Sequence, residues 1–344
     1  MVHDVQILVS ASVASGTLQH ALTLSQVCTR LGHKVTLTDI QPGAIGGQPA
    51  STPYDRLSYL RTSVAGISPA SFNIVVGLWD EHTIAAARFL SQTGTRLILA
   101  PTVYRDSGRF PELPGGAEAL WYLSWDQAVS DRDSWRAAER VEIVRCAVDT
   151  EMFRRPPDRP AGPPWVLGRH SRDVAAKFAP HTAEFIRRVG EVHDIKVRML
   201  GAAHVMNGLE SPQAEIFGEY EIPPVEFLAG CHVWVYAHAP YWRETACLAM
   251  LEAMASGLPV VVGNTGGMRE YVQHGRTGFL ANDVDDFVSY TSLLLDMPHL
   301  RYAMAERARA FIQEFCSIEA MAECIRPIIE DGPARQATAL GCPR

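Results

Sequence analysis

Apolar positions fall into two alternating rhythms along almost the whole chain. Short β-rich runs predict strands at Val5–Ser10, Lys34–Asp39, Asn73–Leu78, Thr95–Ala100, Leu120–Ser124 and Glu142–Cys146. Polar or helical stretches separate them. In Thr17–Leu31 the apolar residues Leu18, Ala21, Leu22, Leu24, Val27, Cys28 and Leu31 recur at helical spacing, and Gly32 ends the run. A second series follows, with strands predicted at Trp165–Leu167, Lys196–Leu200, Ala214–Phe217, His232–Tyr236 and Leu258–Val262. Helices are predicted near Val174–Val189, Pro224–Ala229 and Thr245–Ala255, and from Asp283 the pattern is helical to about Glu330. Strands alternating with helices imply parallel βαβ units with helices on both faces of each sheet.

The rhythm breaks at Arg154–Pro164, which holds five prolines and a glycine. Such a stretch has no place inside a sheet and reads as a linker. The expected organisation is an N-terminal Rossmann-like domain over 1–155, a linker at 156–164 and a C-terminal Rossmann-like domain over 165–315. A helix over 316–330 is expected to return to the first domain, and 331–344 to form a frayed tail. The fold class is thus α/β, two doubly wound domains. Facing each other, they would leave a cleft between the carboxyl ends of their sheets, where open α/β sheets bind ligands.

Composition narrows the function classes. Apolar residues make up 47% and charged residues 20%, and no uncharged apolar run is long enough for a membrane helix. No basic segment precedes the first apolar run, so a strand is expected there and not a signal peptide. A net charge of −7 without a basic patch argues against nucleic acid and gives no sign of contact with a membrane surface. The seven cysteines are scattered and never spaced Cys-x-x-Cys, as expected of reduced thiols in a cytoplasmic protein. Two Asp-x-Asp strings, at Asp131–Asp133 and Asp283–Asp285, are read as helix-start aspartates and not as metal ligands. No metal and no resident cofactor are expected.

The chemistry concentrates between Cys231 and Leu280. A buried strand leads through a loop to a helix whose first N–H groups and positive dipole end make an anion site suited to a diphosphate. Glu244 stands at the mouth of this helix, either as a dipole-stabilising cap or as a ligand contact. Glu252 lies further in among Leu248, Met250, Leu251, Ala253 and Met254. An unpaired carboxylate there would cost about 3–5 kcal/mol, so it needs partners, and a pair of ribose hydroxyls would serve.

Glu244 and Glu252 with seven residues between them, followed by Ala-Met-Ala-Ser-Gly-Leu-Pro-Val-Val and Gly-Gly-Met-Arg-Glu, resemble the retaining GT-B glycosyltransferases of family GT4. The resemblance continues through Gly275–Leu280 and, more loosely, Val141–Phe153 and Gly32–Val35. It implies a nucleotide diphosphate sugar as donor and an acceptor hydroxyl on a glycan, a lipid-linked sugar or a small molecule. By position, Glu252 would take the ribose hydroxyls and Glu244 the hydroxyls of the transferred sugar. Thr245, Ala246 and Cys247 would offer backbone N–H groups to the diphosphate, and Arg169 and Lys177 would neutralise the leaving group; Arg172 is the substitute for either. Gly16 is either a donor-facing glycine or a plain turn. His238 is a donor-sugar candidate, and Gly266 and Gly267 complete the donor set. His82 is a helix-start histidine or a weaker site candidate. Family members often carry Gly-Phe-Gly after the first glutamate. Here the residues are Thr245-Ala246-Cys247, which puts the loop shape in doubt. A sugar-nucleotide epimerase and a non-catalytic nucleotide-sugar-binding homologue are the competing readings.

Overall fold

The computed structural model describes residues 2–10, 16–40, 48–51, 58–78, 80–104, 112–154, 162–205 and 214–331. The chain divides into two compact units, one made of Met1–Ala147 with Ile318–Arg344 and the other of Val148–Ser317. The first break lies ahead of the proline-rich stretch, of which 155–161 fall outside the described residues, as do the tail from 332 and Cys342.

The first unit runs β1 (Asp4–Val9), α1 (Gly16–Arg30), β2 (Lys34–Ile40), β3 (Gln48–Ser51), β4 (Ser58–Thr62), β5 (Phe72–Gly77), α2 (Glu81–Leu90), β6 (Arg96–Pro101), β7 (Ala117–Tyr122), α3 (Trp125–Ser130) and β8 (Ala138–Ile143). Its sheet has the order β3-β4-β2-β1-β5-β6-β7-β8, all pairs parallel except β3 with β4. The pair β3 and β4 has no counterpart in the hydrophobic pattern, because proline and polar residues interrupt any period of two there. β7 and β8 start three and four residues ahead of their expected positions. In β7 all of Ala117–Tyr122 is buried, so burial on both faces erases the alternation that would have marked its start.

The second unit runs β9 (Trp165–His170), α4 (Thr182–Gly190), β10 (Ile195–Leu200), β11 (Ala214–Phe217), α5 (Pro224–Ala229), β12 (Val233–Tyr236), α6 (Leu248–Ala255), β13 (Val260–Gly263), α7 (Met268–Tyr271), β14 (Gly278–Ala281), α8 (Val284–Asp296) and α9 (Pro298–Phe315). Its sheet is wholly parallel, in the order β11-β10-β9-β12-β13-β14. The last helix, α10 (Ile318–Asp331), belongs to the first unit. Its Ile318, Met321, Ala322, Ile325, Ile328 and Ile329 complete a core with α1 and strands β1, β5 and β6. Arg96 clamps the end of this helix, donating to the carbonyls of Ile328 and Ile329 while paired with Glu118.

Two helices differ from their expected form. The one near Val174–Val189 is a 3-10 turn at Ala175–Lys177 followed by α4, because Pro180 lacks the N–H that a continuous helix needs. The one expected to begin at Thr245 begins at Leu248, because Cys247 takes a left-handed conformation (φ 59°, ψ 76°) that no α-helix accommodates. Asp283 caps α8 by accepting from the Asp286 N–H at 2.9 Å, as expected. Asp131 accepts from the Tyr122 hydroxyl and from Ser134. No described helix is long and apolar enough to cross a membrane.

Candidate donor site

In the second unit the strand order reverses between β9 and β12: β10 and β11 lie to one side of β9, β12 to β14 to the other. A doubly wound sheet opens at this point, because the loops leaving the two central strands depart to opposite faces. The residues singled out in this unit gather around that opening. Arg169 and His170 end β9, Trp234 and Tyr236 lie on β12, and the loop after β12 carries His238, Trp242 and Glu244. Glu252 is on α6.

Alternation along β12 sorts its side chains. Val233 and Val235 enter the core, while Trp234 and Tyr236 stack on each other with centroids 5.4 Å apart. This leaves the indole N–H and the phenol hydroxyl on one face of the strand. Tyr236 Oη donates to Glu244 Oε1 at 2.5 Å, Trp242 Nε1 donates to the same oxygen at 3.0 Å, and Lys177 Nζ forms an ion pair with it. Burial pushes the Glu244 carboxyl up, but Lys177 and these three hydrogen bonds outweigh it and hold the group below its ordinary value. Glu244 is therefore an anion and a hydrogen-bond acceptor. All three donors use Oε1, and no described residue donates to Oε2.

Glu252 shows the same division. His170 Nε2 meets its Oε2 at 2.7 Å, and no described residue donates to Oε1. His170, like Trp234, Tyr236 and Trp242, is absent from the residues singled out in the sequence. The sequence signal for His170 is its place at the end of β9 directly after Arg169.

Arg169 is 1% exposed. Its guanidinium carbon lies 3.5 Å from the Phe178 ring centroid and 5.0 Å from that of Tyr236, and one terminal nitrogen donates to the Lys177 carbonyl. Nε and Nη1 have no partner among the described residues. Desolvation lowers its pKa to about 10, so it stays charged at neutral pH with two unsatisfied donors, each costing about 1–3 kcal/mol if left so. Gly168 beside it is required by packing: a Cβ there would stand 2.3 Å from Cys231 Sγ. Arg172 is exposed.

His238 is 7% exposed and hydrogen-bonds the Ala239 carbonyl through Nδ1 at 2.9 Å. A carbonyl only accepts, so Nδ1 carries the hydrogen and Nε2 is a bare acceptor, buried and without a partner among the described residues. Burial lowers its pKa, which keeps the ring neutral. Thr245, Ala246 and Cys247 are buried and form the approach to α6 rather than its first turn. The N–H groups of Ala246 and Cys247 have no acceptor among the described residues. Gly266, at φ +59°, turns the chain after β13, and the Gly267 N–H donates to the Glu244 carbonyl at 2.8 Å, tying this turn to the glutamate loop.

Gly16 and His82 belong to the first unit. Gly16 opens α1 and is exposed, a Cβ there would meet nothing within 4 Å, and the preceding 11–15 lie outside the described residues. His82 is in the first turn of α2, donating its N–H to the Asp80 cap. His20, on α1, is buried and its pKa falls to about 4 through desolvation. Among the described residues no three His, Cys, Asp or Glu side chains cluster as metal ligands do.

Two doubly wound units of this kind are the GT-B architecture. The structure matches sucrose-phosphate synthase of Thermosynechococcus elongatus with a TM-score of 0.74 at 14% identity, over 95% of this chain and 98% of that one. It matches Anabaena HepE in complex with UDP and glucose with a TM-score of 0.72 at 14% identity, over 95% and 99%. Residues 220–311, all within the second unit, match the model of the family "Glycosyl transferases group 1". Relatives in sequence include the sulfoquinovosyl transferase SQD2 of Arabidopsis thaliana, 40% identical over 81 residues, which are 22% of this chain and 16% of that protein. A D-inositol 3-phosphate glycosyltransferase of Kribbella flavida is 29% identical over 202 residues, 51% of this chain and 47% of the relative. The chain thus spans less than half the length of either relative.

Proposed function

We propose that this protein is a glycosyltransferase that moves a sugar from a nucleoside diphosphate sugar to an acceptor hydroxyl with retention of configuration. The carrying observation is the pair of glutamates at the opening of the sheet, each anchored through one oxygen and leaving the other without a donor among the described residues. An acceptor pair of this kind suits a ligand with hydroxyls at two places. Glu252 would take the ribose and Glu244 the sugar, with the Ala246 and Cys247 N–H groups, the start of α6 and Arg169 on the diphosphate between them. HepE, a structural neighbour, holds UDP and glucose.

The electrostatics suit departure of a nucleoside diphosphate. Breaking the glycosyl–phosphate bond places negative charge on the leaving phosphate, and preorganised cations and N–H dipoles stabilise that charge. Arg169 offers two unsatisfied donors and Lys177 a charge already held against Glu244. Glu244, held ionised, is a poor proton donor and a good acceptor for a sugar hydroxyl. The leaving phosphate can then take the proton of the acceptor hydroxyl on the face from which it departs. A bare His238 Nε2 is suited to a further sugar hydroxyl. No metal is required by this scheme.

Thermal denaturation with UDP, GDP, ADP, CDP and dTDP tests the donor class, since a ligand at 100 times its Kd adds about 2.7 kcal/mol to stability. One of the five is expected to raise the midpoint, equally with magnesium or with EDTA. No shift with any of them at millimolar concentration would overturn the reading. The matching nucleotide sugar incubated alone should keep its sugar unchanged; a new sugar in its NMR spectrum would point to an epimerase. With an acceptor, the product's anomeric coupling constant should match that of the donor.

A further inference from the structure

Glu244 and Glu252 are anchored by unlike partners, an ammonium for the first and an imidazole for the second. The imidazole has a hydrogen bond on each nitrogen. Trp234 Nε1 donates to His170 Nδ1 at 3.0 Å, and His170 Nε2 lies 2.7 Å from Glu252 Oε2. An indole N–H can only donate, so Nδ1 must accept, and the ring hydrogen is confined to Nε2, aimed at the carboxylate. The chain Trp234→His170→Glu252 therefore runs in one direction. The ring is gripped from both sides, tilted against Phe227 at 5.8 Å and edge-on to Trp234 at 5.7 Å. The His170 side chain is 6% exposed and that of Glu252 13%.

We propose that His170 is the positioning residue for ribose recognition by Glu252, with Trp234 setting its tautomer. The inference builds on the assignment of Glu252 to the ribose. A neutral donor fixes the carboxylate's rotation through Oε2 without cancelling its charge, as a lysine would. Oε1 and the remaining lone pair of Oε2 then point at a fixed place, which is what two neighbouring ribose hydroxyls need as acceptors. Glu244, by contrast, has its charge already matched by Lys177.

The test compares, by calorimetry, the affinity for the nucleoside diphosphate that stabilises the protein most and for its 2′,3′-dideoxy analogue. The wild-type protein should prefer the ribose form. His170→Asn keeps an acceptor for Trp234 but is too short to reach Glu252; it should weaken the ribose form about tenfold or more, the usual effect of one hydrogen bond to a charged group, and leave the dideoxy form unchanged. His170→Gln, whose amide reaches as far as Nε2, should restore most of the preference. In a Glu252→Ala background, His170→Asn should have no further effect. His170→Asn binding with the wild-type preference, or losing affinity equally for both probes, overturns the inference and leaves the Glu252 assignment standing. Equal binding of the two probes by the wild-type protein overturns that assignment and the inference with it. Should His170→Asn not fold, Trp234→Phe carries the same comparison: it frees the tautomer and should reduce the preference for ribose, and an unchanged preference overturns the proposal.

Discussion

At the residue scale, the buried pair Lys177 and Glu244 and the left-handed Cys247 make the sharpest demands. Removing either partner of the pair strands a charge, so Lys177→Met and Glu244→Gln should each cost roughly 3–5 kcal/mol in urea denaturation. The double variant should cost clearly less than the sum. Glu244 is depressed in the folded state, so its contribution is complete above the ordinary carboxyl value of 4.5 and is lost as pH falls through its lower folded value. Below pH 4.5 the wild-type protein should lose stability more steeply than Glu244→Gln; parallel acid profiles would contradict the assignment. Cys247 occupies a backbone conformation natural to glycine. Cys247 stands at the third of the three positions that often read Gly-Phe-Gly in related sequences. Cys247→Gly should change stability by no more than about 1 kcal/mol, whereas β-branched Cys247→Val should lose about 2 kcal/mol. Chemical denaturation of both variants decides this.

At the element scale, α10 and α6 show how far local pattern reaches. The isoleucine-rich face of α10 fills the core shared by α1 and the first sheet. Ile325 is fully buried there, so Ile325→Ala should destabilise the protein by about 2–5 kcal/mol, read as a shift in denaturation midpoint. A loss under 1 kcal/mol would mean that the helix is dispensable to that core. The existence of both helices was legible in their apolar spacing. The start of α6 was not, because Thr245, Ala246 and Cys247 are compatible with a helix and only the local φ of Cys247 ends it. Lys177 falls within the helix expected near Val174–Val189. Pro180 breaks that helix, and the resulting turn delivers the ammonium to Glu244.

At the scale of the whole molecule, the two units have separate cores. Two clusters lie on the faces of the first unit's sheet, and in the second unit a cluster is centred on Leu167, Val197, Val233 and Val261. Cores of this size unfold as units. Differential scanning calorimetry should therefore resolve two transitions, and a stabilising nucleoside diphosphate should raise the one belonging to residues 148–317. A single transition, or an equal shift of both, would show that the units unfold together.

The sequence by itself determined the alternation of strands and helices, two doubly wound domains, and the two glutamates with their seven-residue spacing. Each is local: a period along the chain, a stop residue, or a charge where the pattern calls for an apolar side chain. Tertiary structure alone decided what the glutamates touch. His170 is 82 positions from Glu252 and Lys177 is 67 from Glu244, and only the parallel pairing of β9 with β12 brings these ends together. The same pairing explains why the sequence implied that Glu252 must have a partner but not which one. A buried charge announces its cost in the residues around it, whereas the group that meets it is chosen by the order of strands in the sheet.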